Sequence, residues 1–243
     1  AALAAAVRGA DVVVDVLALA FQAPVARLCL DAGRPMVSAS YRSPELRALE
    51  PEAKARGLTF ASELGLDPGL DHMAAVRLLD AIRDAGGEVI RCLSYGSGVV
   101  ERDLNPLGYA ITWNPRNVVL AGAAGARFLD GGRVRVVPHP EVFRRTWSVD
   151  VPEVGRMEAY ANRDAIGYID TYGVEGARTM IRATLRHVGY CETWYVAARL
   201  GLANETVIIP GLPELSWREL VDVFLPAGEG DVARRLADHL GLH

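Results

Sequence analysis

Cysteine is scarce in this chain. Only Cys29, Cys92 and Cys191 occur in 243 residues, far apart and with no C-x-x-C pair. So few thiols, odd in number, exclude a disulfide framework and a zinc knuckle and point to a reducing compartment, with the cytoplasm as the expected location. Long apolar runs are also missing. The longest, from Val12 to Phe21, is broken by Asp15, well short of the ~20 residues of a membrane span. The opening AALAAAVRGAD has no apolar core followed by a cleavage site, so it reads as an amphipathic helix stopped at Gly9, not as a signal peptide. Excess positive charge is absent too. A net charge of -4 gives no electrostatic support to nucleic-acid binding, although a local pocket can still be basic. The five histidines show no ligand spacing on one helix face, so no metal site is expected, and His72 and His187 read as satisfied structural residues.

The most informative absence is a phosphate-binding turn. No G-x-G-x-x-G follows a strand and opens a helix, and Gly96-Ser97-Gly98 follows a strand-like segment without a helix after it. Either the chain is no nicotinamide enzyme, or that turn lies upstream of Ala1. The start on Ala1, without methionine and in mid-helix, reads as an excised or incomplete sequence; a processed mature protein is the other reading.

What is present is an ordinary soluble composition, 51% hydrophobic and 23% charged, enough for a sizeable core. Residues 11–17, 35–40 and 58–63 read as strands. Between them lie helices, one from Pro24 to a stop at Gly33, the other from Ser43 as cap to Gly57. Strand, helix, strand, helix, strand at this spacing is half of a doubly wound parallel sheet. The rhythm then changes. A Gly/Pro-rich turn, LGLDPGLDH, feeds a helix over 68–85, and strands are expected at 88–98, 132–137, 156–164 and along 176–189. Alternation in these segments predicts a mixed, largely antiparallel sheet with helices on one face. Two amphipathic helices, SWRELVDVFL and DVARRLADHLGL, close the chain. The expected fold class is therefore α/β, with a boundary near residue 65: an incomplete doubly wound sheet over 1–65 and an α+β substrate or dimerisation domain over 66–243.

In an open parallel sheet, ligands bind beyond the carboxyl ends of the strands. That rule selects the loops 18–22, 40–43 and 63–71. Tyr41 directly follows its strand, and Asp67 sits in a Gly-flanked turn; the plainer readings are an amphipathic loop residue for Tyr41 and a helix N-cap for Asp67. In the second part, NPLGYAITW suits a shaped binding wall but also fits a structural turn. Arg163, Arg182 and Arg186 lie on strand-like segments, where a cation needs an anionic partner, either a ligand carboxylate or a local acid such as Asp164.

The segment SASYRSPELRALEPEAKARGLTFASELGLDPGLDH (38–72) resembles the centre of the fungal-type saccharopine reductases. The resemblance continues through LSYGSG, NPLGYAITWNPRNVVLAG, ANRD and RATLRHVGY, in order and at family spacing, to about Leu202. It implies a Rossmann domain whose first half precedes this sequence, then a substrate and dimerisation domain inserted before the chain returns to the first. It further implies NADP as cofactor, saccharopine and glutamate as substrates, and a homodimer. The activity implied is NADPH-dependent reduction of the imine formed from α-aminoadipate semialdehyde and glutamate. Asp67 and Tyr41 match family positions that assist protonation, and Arg163 matches a substrate-binding position; Arg186 is added here on its strand position. Asn105, Gly108 and Tyr109 would line the substrate pocket, and Leu19, Ala20, Ser40 and Leu66 would border the nicotinamide. Gly96 departs from the fungal pattern, which has a cysteine directly after SY; that points to a shifted substrate. With the phosphate-binding loop and the returning segment outside the sequence, this stretch alone is expected to be inactive. Two alternatives remain open: a related amine-condensing reductase such as a carboxyspermidine dehydrogenase, and a non-catalytic dimerisation module.

Overall fold

A computed structural model describes residues 2–121 and 125–241. The chain forms two compact units, one ending at Glu88 and the other starting at Val89.

The first unit runs α1 (Ala2–Gly9), β1 (Val13–Asp15), α2 (Gln22–Ala32), β2 (Met36–Ser38), α3 (Pro44–Ala55), β3 (Phe60–Ala61) and α4 (Leu70–Asp84). The strands pair in parallel in the order β1-β2-β3, with Asp15 opposite Ser38 and Val37 opposite Ala61. The start of α3 and the stop of α2 fall on residues that the sequence marks, whereas α2 begins at Gln22, ahead of the expected Pro24, and α3 ends at Ala55, ahead of Gly57. Ser43 caps α3 by accepting from the Leu46 N–H, with Pro44 in the first turn, and α2 ends on Gly33 at φ 64. Their inner faces bury Val25, Ala26, Cys29, Leu30, Leu46, Leu49 and Ala53 against Met36 of the central strand. The strands are shorter than the sequence predicts. Past Asp15 and Ser38 the backbone leaves the ladder because side chains take its donors: Leu17 N–H bonds Asp15 Oδ1 at 3.1 Å, and Ser40 N–H bonds Ser38 Oγ at 3.2 Å.

The second unit contains β4 (Arg91–Gly96), α5 (Pro115–Leu120), β5 (Ala126–Asp130), β6 (Arg133–Val137), β7 (Thr146–Val151), β8 (Gly155–Ala161), β9 (Arg163–Asp164), α6 (Tyr168–Tyr172), β10 (Thr179–His187), α7 (Tyr190–Leu200), α8 (Trp217–Phe224) and α9 (Val232–Leu240). Its seven strands follow the order β6-β5-β10-β8-β7, with β4 parallel on β10 and β9 parallel on β5. The mixed, mostly antiparallel sheet expected from the sequence is present. β5 and β7, which the sequence reading passed over, complete it. Gly131 and Gly132, at φ 57 and 78, supply the two positive-φ residues that a two-residue hairpin between β5 and β6 requires.

β10 is the sheet's spine, and its alternation misleads. The polar residues Thr184, Arg186 and His187 are buried like their apolar neighbours. One face of the sheet packs Met157, Ala159, Ile181, Ala183 and Leu185 with Trp147 and Val149. The other packs Tyr160 with Phe143, Tyr109, Tyr190 and Cys191. Among the described residues no helix is long and apolar enough to cross a membrane.

Burial, aided by the charge of Asp15, pushes the Cys29 thiol up from 9.0 to about 11. The unfolded chain therefore releases this proton first. The thiol's contribution to stability is full below pH 9.0 and falls as pH rises towards about 11. Urea unfolding across that window should show falling stability, with a shallower fall in Cys29→Ala. Equal slopes in the two proteins would contradict it.

Candidate functional site

Beyond the carboxyl ends of β1, β2 and β3 lie the three loops that carry the sequence-selected residues. Tyr41 follows β2, and its hydroxyl donates to Asp67 Oδ1 at 3.2 Å. This sets aside the cap reading of Asp67. The cap position of α4 belongs to Gly69, whose N–H bonds Asp71 Oδ1 at 2.7 Å, and Asp67 holds the tyrosine instead. The turn between them is tight. Gly65 N–H bonds the Pro68 carbonyl at 2.9 Å, and Gly69 lies at φ 150, where a Cβ would fall 2.1 Å from the Gly65 oxygen. Only glycine fits there. Glu63 fixes the neighbouring loop by accepting from Arg42 N–H at 3.2 Å, and it lies 3.5 Å from His72. Leu19, Ala20 and Leu66 are exposed, and Ser40 is half-buried with its N–H on Ser38.

A second group forms in the mixed-sheet unit. The Arg186 guanidinium lies 4.7 Å above the Tyr109 ring and 5.2 Å from that of Tyr190, and Nη1 donates to the Leu185 carbonyl at 3.0 Å. Its Nε is buried with no partner among the described residues. Arg186 is thus a buried cation balanced by aromatic faces, with donor capacity to spare for an anion. Burial holds the Tyr190 and Tyr160 phenols above their ordinary range, and Arg186 opposes the rise. Asn105 staples the NPLGY loop: Oδ1 accepts from Leu107 and Tyr109 N–H at 3.1 and 3.3 Å, while Nδ2 donates to the Tyr109 carbonyl at 2.9 Å. Gly108, at φ 59, sits where a Cβ would meet His187 Cδ2 at 3.1 Å and Arg102 Nη1 at 3.3 Å. His187 Nε2 lies 2.9 Å from the Val100 carbonyl, which can only accept, so that nitrogen carries hydrogen.

The other arginines are placed differently. Arg182 stacks on Tyr168 at 4.5 Å and donates to its hydroxyl at 2.9 Å. Arg163 is exposed on β9 with φ 55, a left-handed conformation unusual for a side chain of this size. Asp164 bonds Arg127 at 2.5 Å, and that pairing draws its carboxyl below the usual range. Asn105, Gly108, Tyr109 and Arg186 are thus gathered in one place, and Tyr41 and Asp67 in direct contact. The sequence reading missed Ser38, buried at the end of β2, and Gln22, buried at the start of α2, and read Asp15 only as a break in an apolar run.

A parallel-sheet unit with chemistry at its strand ends, followed by a mixed-sheet unit with a buried arginine, places the chain among two-part α/β proteins of dinucleotide-binding type. The saccharopine dehydrogenase NADP binding domain matches residues 1–61, and the saccharopine dehydrogenase C-terminal domain matches residues 65–240. The chain belongs to the saccharopine dehydrogenase family. The fold is that of apo histidine-tagged saccharopine dehydrogenase (L-Glu forming) from Saccharomyces cerevisiae, with a TM-score of 0.82 at 30% identity over 98% of this chain and 55% of that one. The yeast saccharopine dehydrogenase [NADP(+), L-glutamate-forming] is 33% identical over 89% of this chain and 49% of its own length. The mitochondrial alpha-aminoadipic semialdehyde synthase of Rattus norvegicus is 34% identical over 88% of this chain and 24% of its own. The chain thus spans about half the length of the yeast relative and a quarter of the rat one. The two family segments meet between residues 61 and 65, whereas the compact units divide after Glu88, so α4 goes with the parallel sheet.

Gly108→Ala should destabilise the chain by roughly 1–2 kcal/mol, the cost of a left-handed alanine plus the displacement of His187. Chemical denaturation would measure it; a neutral result would show the loop to be compliant.

Proposed function

We propose that this chain belongs to a saccharopine reductase, acting on the imine of α-aminoadipate semialdehyde and glutamate, or running in reverse, with NADP. In this reading residues 1–65 belong to the cofactor domain and residues 66–243 to the substrate and dimerisation domain. The observation that carries it is the Tyr41–Asp67 hydrogen bond at the carboxyl edge of the parallel sheet. The residues there fit the nicotinamide end of NADP. Leu19 and Leu66 are 48% and 72% exposed, an apolar border of the kind a flat ring stacks on, with Ala20 and Ser40 beside them. When bound, the cofactor supplies hydride to the imine carbon.

The chain's own residues handle protons and carboxylates. Condensation joins the glutamate amine to the aldehyde carbon and releases water; reduction then leaves one proton to be taken up at nitrogen. Tyr41 holds a proton on its phenol oxygen, oriented by Asp67, and this pair is the proposed acid. Saccharopine carries three carboxylates, which call for arginine forks. Arg186, with its spare buried donor, and Arg163 are the proposed partners, with Asn105 shaping the Gly108–Tyr109 wall. Gly96 leaves this pocket without a thiol after Tyr95 and is the proposed cause of any difference in substrate length.

The location proposed is the cytoplasm, in keeping with three free cysteines. No nucleic-acid or membrane partner is proposed. A homodimer is proposed through the apolar sheet face, where Tyr95 and Trp147 meet edge to face at 6.5 Å, beside Leu93 at 37% exposure. Sedimentation should give twice the chain mass, and Leu93→Asp should shift it towards monomer; a monomeric unaltered chain would refute the dimer.

Calorimetric titration with saccharopine, NADP present, should show binding that weakens about ten- to a hundredfold in Arg163→Ala, the effect of removing one charged hydrogen-bond partner. The titration is made on the full-length enzyme, and no binding by its unaltered form would sink the substrate assignment.

A further inference from the structure

Asp15 is 2% exposed, and no arginine, lysine or histidine is among the groups that bond it. It acts only as an acceptor. Oδ1 takes the Leu17 N–H at 3.1 Å, and Oδ2 takes the Ser38 hydroxyl at 3.1 Å. Ser38 Oγ, fully buried, in turn accepts from Ser40 N–H at 3.2 Å and from Gln22 Nε2 at 3.1 Å. Gln22, also fully buried, spends its second amide hydrogen on the Tyr41 carbonyl at 3.1 Å and its oxygen on the Ser43 N–H at 3.1 Å. The donors therefore run one way. Ser38 has a single hydrogen and already accepts twice, so that hydrogen must go to Asp15.

We propose that Asp15 is a positioning residue: through Ser38 and Gln22 it ties the loop leaving β1 to the loop leaving β2, and so fixes Ser40 and Tyr41 at the reacting end of the site. The inference rests on the function proposed above and adds a residue to it. The network is built for the loops. Its members bond the backbone at 17, 40, 41 and 43, the positions that flank Leu19, Ala20, Ser40 and Tyr41. A shape-matched apolar residue at 15 would leave the Leu17 amide and the Ser38 hydroxyl without partners. Asparagine would turn one acceptor into a donor facing Leu17 or Ser38. The charge is felt inside the unit as well, since it adds to the rise of the Cys29 thiol.

The test compares the unaltered chain with Asp15→Asn, Ser38→Ala and the double variant. Hydrogen exchange at the Leu17, Ser40 and Ser43 amides should quicken at least tenfold in each variant, with β10 amides unchanged. In NADP-linked oxidation of saccharopine by the full-length enzyme carrying the same substitutions, kcat should fall about tenfold while KM for saccharopine moves less than twofold, because its carboxylates are held elsewhere. The double variant should be no worse than the poorer single one. Unchanged exchange in Ser38→Ala overturns the anchoring even if Asp15→Asn fails to fold, and loosened loops with unchanged kcat overturn the positioning role. A full-length enzyme that oxidises saccharopine beside equally active variants defeats this inference alone, whereas a full-length enzyme with no turnover defeats the proposed reaction and, with it, this role for Asp15.

Discussion

Where the three parallel strands of the first unit stop, their backbone runs out of ladder partners, and the loops just beyond need other ones. Asp15 and Ser38 are opposite each other at the last rung of β1 and β2. There the polar demand passes from backbone to side chains: a buried acid, a buried hydroxyl and a buried amide satisfy the N–H groups of both exit loops. Buried polar groups are worth their desolvation only when every member is bonded, and each member of this set is. The same network bonds the Tyr41 backbone, so the position of the tyrosine that meets Asp67 depends on it.

The second unit solves a related problem with aromatic rings. β10 buries a guanidinium at Arg186, and a buried cation without compensation is unfavourable by several kcal/mol. Tyr109 and Tyr190 lie within 4.7 and 5.2 Å of it and supply ring faces in place of a carboxylate. An ion pair would use up the guanidinium donors, whereas ring faces leave Nε without a partner among the described residues. Arg182 on the same strand is instead held by Tyr168, both by stacking and through its hydroxyl. Arg127 and Asp164 pair at the surface, which removes Asp164 as a partner for the strand arginines.

Much of the architecture was legible. The βαβαβ rhythm, the caps at Ser43 and Gly33 and the mixed second sheet rest on local signals that survive folding. β7 was legible as well but overlooked: in TWSVDV, Trp147, Val149 and Val151 alternate onto one face of the sheet. β5 was harder, since Arg127 and Asp130 interrupt its apolar residues and its register is set by β6 and β10. For the site, the strand-end rule pointed to Tyr41 and Asp67 but left Asp67 as cap or functional group. The cap position belongs to Gly69, and Asp67 instead meets Tyr41, 26 positions away. Asp15 and Gln22 could not be recognised, because burial of a polar residue depends on partners distant in sequence. Nothing local distinguishes Asp15 from an acid at a strand end in water.

The central claim is the proposal that the buried arginine of the second unit holds a carboxylate of an amino-acid substrate. A crystal structure of the full-length enzyme with saccharopine bound tests it most directly. The account predicts a saccharopine carboxylate on the guanidinium group of Arg186. Saccharopine bound away from Arg186 would contradict it.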